Sequence, residues 1–83
     1  MTLEEIEKKI INGIIKTNNA WHSDYDIYKL VYGMRPNEEV LTRIEREEKW
    51  KLVNDTVVGL IKSGVLSHVN SGYNYYYYKL KGL

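Results

Sequence analysis

The sequence contains no cysteine, no glutamine, a single proline and no long apolar run. Without cysteine there are no disulfides, no thiolate zinc sites and no thiol catalysis, a pattern that fits a reducing, cytoplasmic setting. A membrane-spanning helix needs about 18 or more consecutive apolar residues, and no such stretch occurs. Glu4, Glu5 and Glu7 surround Ile6 at the start, with no basic segment ahead of an apolar block, so no signal peptide is expected. His22 and His68 are the only histidines, which leaves a zinc site dependent on carboxylates, and no metal or cofactor is expected. Gly33, Gly59 and Gly64 are not grouped as a phosphate-binding loop, and nothing assembles a nucleophile with its base. An enzyme is therefore not expected, nor is a small-molecule ligand evident. The missing glutamine, set beside abundant Ile, Tyr, Lys and Glu, leans towards a heat-adapted source, although seven asparagines pull the other way.

What is present suits one small folded domain spanning residues 1–83. A chain of 83 residues holds a single hydrophobic core, and 43% hydrophobic with 28% charged residues is the composition of a globule. The net charge of +1 hides an uneven distribution. Residues 1–37 balance, residues 38–48 carry five Glu against Arg43 and Arg46, and residues 49–83 carry five Lys against Asp55 alone. A basic C-terminal third beneath a near-neutral total points to a polyanionic partner; scatter on a solvated surface is the simpler alternative.

Thr2 and Glu5 form a capping box, and Leu3, Ile6, Ile10 and Ile14, flanked by Ile11 and Ile15, recur at helical spacing. Thr17-Asn18-Asn19 ends this helix, asparagine tolerating a left-handed exit. Ala20-Trp21-His22 is a short link able to pair as a minor strand. Ser23 caps a second helix, with Asp24 and Asp26 in its positive first turn. Ile27, Leu30 and Val31, helped by Tyr28 or Tyr32, form its buried stripe. Gly33 closes it, and Pro36 makes residues 33–37 a turn.

From Glu38 to Ser63 the simplest reading is one long helix, although Thr42-Arg43-Ile44-Glu45 is a second capping box and an alternative start. On one continuous helix, Trp50, Val53, Val57, Leu60 and Ile61 share a side while Val40, Leu41 and Ile44 project nearly opposite. Either the segment divides, or its first half meets another surface such as a second subunit. Gly64 is the natural residue after the helix. Val65–Val69 and Tyr75–Leu80 then read as strands flanking the turn residues Asn70-Ser71-Gly72-Tyr73-Asn74, a β-hairpin.

The run Val57-x-x-Leu60-Ile61-x-x-Gly64-Val65-Leu66 and the hairpin end Tyr76-x-Tyr78-x-Leu80 resemble a recurrent passage of the winged helix-turn-helix DNA-binding family. Chain size and the Ile/Lys/Tyr bias are similar to small winged-helix transcription regulators of archaea and their viruses. The resemblance implies a mainly α (α+β) fold: three helices, the third elongated, and a C-terminal two-stranded β-hairpin wing. It further implies a third helix in the major groove of double-stranded DNA and a wing against the backbone. The 30 residues between Gly33 and Gly64 exceed the family's usual spacing, and the surplus is the acidic stretch 38–48, which repels phosphate. Groove contacts therefore do not carry over to Glu38 or Glu39. They fall on the later segment, about Lys49 to Asn54.

In that segment Lys49 and Lys51 are candidates to neutralise phosphates and Asn54 to read an adenine edge. Arg35 in the turn, with Arg43 and Arg46 if the helix is continuous, adds phosphate contacts. The wing offers His68, Asn70, Ser71, Tyr73, Asn74 and Lys79, although Asn70 and Asn74 also serve turn geometry. Glu45 and Lys49 form an i, i+4 pair that supports the helix. Tyr75–Tyr78 invites base stacking, but alternation along a strand sends two rings to each face, one pair to the core and the other to the exposed sheet face. Val40, Leu41 and Ile44 suggest a homodimer interface and hence a palindromic DNA site. The competing reading is a winged helix used as a protein–protein adaptor, motivated by the near-zero net charge and the acidic 38–48 segment; an RNA-binding variant of the same fold has no residue of its own to argue for it.

Overall fold

The computed structural model describes residues 1–72 and 76–82. Their elements run α1 (Leu3–Lys16), β1 (His22–Ser23), α2 (Asp24–Tyr32), α3 (Arg43–Lys62), β2 (Leu66–Asn70) and β3 (Tyr76–Leu80). Each helix starts at a two-way capping box: Thr2 with Glu5, Ser23 with Asp26, and Thr42 with Glu45. In each, a hydroxyl takes the amide of the residue three further on while a carboxylate accepts from the cap's own N–H, satisfying two amides that a helix start would otherwise strand. The exits are equally local. Asn18 and Asn19 turn left-handed after α1, and Gly33 does so after α2 at φ +85°.

Two expectations are corrected here. The third helix does not begin at Glu38: residues 36–38 form a turn, and the helix starts at the Thr42 capping box. The capping box outcompetes simple continuation because Thr42 adopts an extended backbone and its side chain binds the Glu45 amide at 3.2 Å. The sheet also has three strands, not two. The short β1 pairs antiparallel with β3, so β3 is central in the order β1-β3-β2.

Ile6, Ile10 and Ile14 of α1, Ile27, Tyr28 and Val31 of α2, and Val53, Val57 and Leu60 of α3 close over Leu66, Tyr78 and Leu80 of the sheet. Leu3 and Ile15 stay exposed. Gly13 permits the close approach of α1 and α2: a methyl group there would stand 2.5 Å from a Leu30 Cδ. Asn19 fastens the exit of α1 to the sheet. Its side-chain amide donates to the Leu80 carbonyl at 3.1 Å and its oxygen accepts the Leu80 N–H at 2.7 Å. The result is a small α+β fold of three helices on a three-stranded antiparallel sheet, an arrangement consistent with a winged helix. Among the described residues no helix is long and apolar enough to cross a membrane.

Candidate nucleic-acid interface

The buried residues of α3 all lie in its second half, and residues 43–48 are exposed on every side. Those six residues extend about 9 Å at 1.5 Å per residue. They form the most accessible helical surface of the molecule. Side chains four apart line up along a helix, so the exposed surface divides into rows. Arg46, Trp50, Asn54 and Val58 make one row, free of acids. Arg43, Glu47, Lys51 and Asp55 make the next, with charges alternating. Ile44, Glu48 and Leu52 make a third.

The acid-free row lies against the first turn of α2. The Tyr25 and Trp50 rings meet edge-to-face at 5.8 Å between centroids. The same turn is tied to the sheet, since its cap Ser23 pairs with Tyr77. Burial, with the negative charge of Asp24 adding to it, raises the Tyr78 pKa well above its ordinary value and keeps the ring neutral. One turn of helix thus couples α3 to the strands of the hairpin.

Lys49 and Lys51, grouped above as phosphate ligands, are separated by the structure. Residues two apart on a helix point about 200° away from each other. Lys51 is exposed, whereas Lys49 turns inward and its ammonium binds the Glu39 carboxylate at 2.7 Å. It also lies 4.5 Å from the Tyr32 ring centre. The second Glu39 oxygen accepts from the Tyr28 hydroxyl at 2.6 Å. Lys49 is therefore a structural cation here, and its partner is Glu39 rather than the expected Glu45, which is occupied by the Thr42 cap.

Hydrogen bonds from Lys49 and then Tyr28 hold Glu39 below the usual carboxylate range. Desolvation, followed by the bond to Glu39, raises Tyr28. Desolvation also raises Tyr32, with Lys49 opposing. The acidic stretch is thus less repulsive than its composition suggests, since Glu39 is neutralised internally.

The remaining candidates disperse. Arg35 is half-exposed and reaches Asp26 at 3.2 Å. Arg43 is almost fully exposed and pairs with Glu47 at 3.1 Å. Arg46 enters no ion pair among the described residues and lines a cleft with Tyr25, Pro36, Asn37 and Trp50. Asn54 is exposed on the acid-free row. His68 is exposed on the hairpin, with its ring 6.3 Å from that of Tyr76.

Asn70 serves the turn, its side-chain oxygen accepting from the Gly72 N–H at 2.9 Å. Ser71 is exposed beside it, while Tyr73 and Asn74 lie outside the described residues. Lys79 sits on the other sheet face, with its ammonium 4.8 Å from the Trp21 ring centre. Of the tyrosine run, Tyr78 enters the core, Tyr77 is half-buried and Tyr76 is exposed.

Val40 and Leu41 belong to the connection before α3 rather than to a helix face. Val40 is 103% exposed and Ile44 69%, whereas Leu41 is half-buried, so the conflict of faces on one long helix disappears while the exposed pair remains. Sequence reasoning missed Glu39, Tyr25, Pro36, Asn37 and Trp50 as parts of one neighbourhood. Tyr25 falls off the Ile27/Leu30/Val31 stripe and was legible as exposed; its meeting with Trp50 depends on how α2 and α3 cross. Comparison with family models, with curated proteins and with solved structures finds no match.

Proposed function

We propose that this chain is a sequence-specific double-stranded DNA-binding protein of winged-helix type, a transcription regulator acting in the cytoplasm without catalysis. The observation that carries the reading is the acid-free row on α3 set beside the first turn of α2, in which Arg46 and Asn54 are exposed on either side of the half-buried Trp50. Arg46 and Lys51 neutralise phosphates, Arg43 and Arg35 add charge at either end, and Asn54 is available to a base edge. The β2–β3 hairpin, with His68 and Ser71 exposed, supplies the flanking contact. Lys49 is withdrawn from this set.

Fluorescence anisotropy with a random duplex pool at several salt concentrations tests it. Each phosphate contact contributes about 0.9 to the slope of log affinity against log salt. Arg46→Ala and Lys51→Ala each lower the slope by about 1, while Lys49→Ala leaves it unchanged in folded protein. Unaltered slopes in the first two variants would show that this face is not the one used.

The protein–protein adaptor reading has one observation of its own: Ile44, Leu52 and Val58 are all exposed on α3, at 69%, 39% and 47%, close to Glu48 and Asp55. Absence of any salt-dependent duplex binding would favour that reading, because even non-specific DNA binders respond steeply to salt.

A further inference from the structure

Between the first turn of α2, the turn at Pro36-Asn37 and the second turn of α3 lies a cleft of about 360 Å³ lined by Tyr25, Pro36, Asn37, Arg46 and Trp50. A second hollow of about 230 Å³ adjoins it, sharing Tyr25 and Asn37 and adding Arg35. No carboxylate lines either hollow, although the surrounding chain is acidic. A guanidinium group borders each of the two hollows, Arg46 the first and Arg35 the second. Arg46 enters no ion pair among the described residues, and Arg35 commits one nitrogen to Asp26 at 3.2 Å, leaving most of its donors unused.

The lining is also aromatic, with Tyr25 common to both hollows and Trp50 in the first. Tyr25 is 51% exposed and Trp50 half-buried, and their edge-to-face contact at 5.8 Å leaves the Tyr25 ring accessible from the solvent side. Pro36 is buried beneath. An aromatic wall takes a flat π-system, and a guanidinium fork takes a phosphate in bidentate fashion. Asn37 brings an amide whose donor and acceptor match the N6 and N7 edge of adenine. The volume is at the lower end of the range of about 300–1,000 Å³ for small-ligand sites, which suits one nucleotide and not two.

We propose that this cleft is a binding site for a single nucleotide, with Tyr25 and Trp50 against the base, Asn37 at its edge and Arg46 with Arg35 on the phosphate. The site is argued from its own lining and does not require that the chain bind duplex DNA. The nucleotide is either free in solution or an unpaired unit of a nucleic-acid strand, and both present the same base and phosphate.

The test follows the two indole N–H resonances of the full chain by NMR during titration with adenosine monophosphate. The Trp50 resonance is expected to shift and saturate while that of Trp21, on the far sheet face, stays in place. Adenosine alone and inorganic phosphate alone bind at least about tenfold more weakly, as do Arg46→Ala and Tyr25→Ala with the monophosphate, a factor that corresponds to about 1.4 kcal/mol.

A parallel titration uses two duplexes, one fully paired and one with a single unpaired adenosine. Saturation by the monophosphate assigns the site to a free nucleotide; a Trp50 shift seen only with the unpaired duplex assigns it to a strand. Silence of Trp50 with the monophosphate, combined with the same response to both duplexes, overturns the proposal, as does equal binding of adenosine and the monophosphate. Tyr25→Ala separates the two readings, since it removes the base wall without removing a cation from the duplex face.

Discussion

Replacing Glu39 by glutamine tests whether the loop between α2 and α3 is held by a charge sequestered against the body of the protein. Its side chain is 11% exposed and that of Lys49 31%. Glu39 accepts from Tyr28 at 2.6 Å and from Lys49 at 2.7 Å. An exposed ion pair contributes about 0–1 kcal/mol, whereas a hydrogen bond to a charged group contributes about 1.5–3 kcal/mol. Glu39→Gln keeps the shape but leaves the ammonium beside Tyr32 without its counter-charge, so a loss of about 2 kcal/mol is expected. For a domain of this size that is about 8–16 °C in melting temperature.

The pH dependence gives an independent signature. Glu39 has a lowered folded pKa, so its contribution is complete above the ordinary value of 4.5 and drains as pH falls through the folded value. The gap between wild type and variant in urea unfolding therefore closes on acidification. Tyr28 works in the opposite sense: its raised pKa makes stability complete below the ordinary 10.0 and lost progressively above it. A variant within about 0.5 kcal/mol of wild type at neutral pH, or a gap that persists unchanged into strong acid, would refute the account.

Gly13→Ala gains up to about 1 kcal/mol in helix propensity but forces a methyl group against Leu30, an overpacking cost of about 1–3 kcal/mol, for an expected net loss of about 1 kcal/mol in denaturant unfolding. A more stable variant would show slack between α1 and α2. The exposed Val40 and Ile44 are expected to pair two copies of the chain, giving a two-chain mass in sedimentation at micromolar concentration and a one-chain mass for Ile44→Asp. A one-chain mass for the wild type removes the homodimer.

The helices were legible in the sequence because their signals are local. Capping boxes at Thr2 and Thr42, the Ser23 cap, the Ile6/Ile10/Ile14 spacing and the asparagines after Thr17 each act within a few residues. The start of α3 was ambiguous because residues 38–41 contain no helix breaker, so the Thr42 capping box competes with simple continuation of the helix. The pairing of β1 with β3 was less visible, since a two-residue strand has almost no periodicity. Lys49 was misread for a different reason. Helical spacing places it near Glu45, but the folded chain brings Glu39 closer from a loop whose path depends on the turn at Pro36. The cleft at Tyr25 and Trp50 likewise joins residues 25 positions apart across a helix crossing.

The order β1-β3-β2 makes the last strand the one on which the other two depend, because β1 and β2 each pair with β3 and not with one another. Asn19 adds a side-chain clasp from the end of α1 to Leu80, across 61 positions. During synthesis the helices are therefore complete before any part of the sheet has a partner, and the molecule stays open along one side until Tyr76–Leu80 emerges. The arrival of that strand joins early and late segments of the chain, since the hairpin closes locally with β2 and docks across the whole sequence on β1.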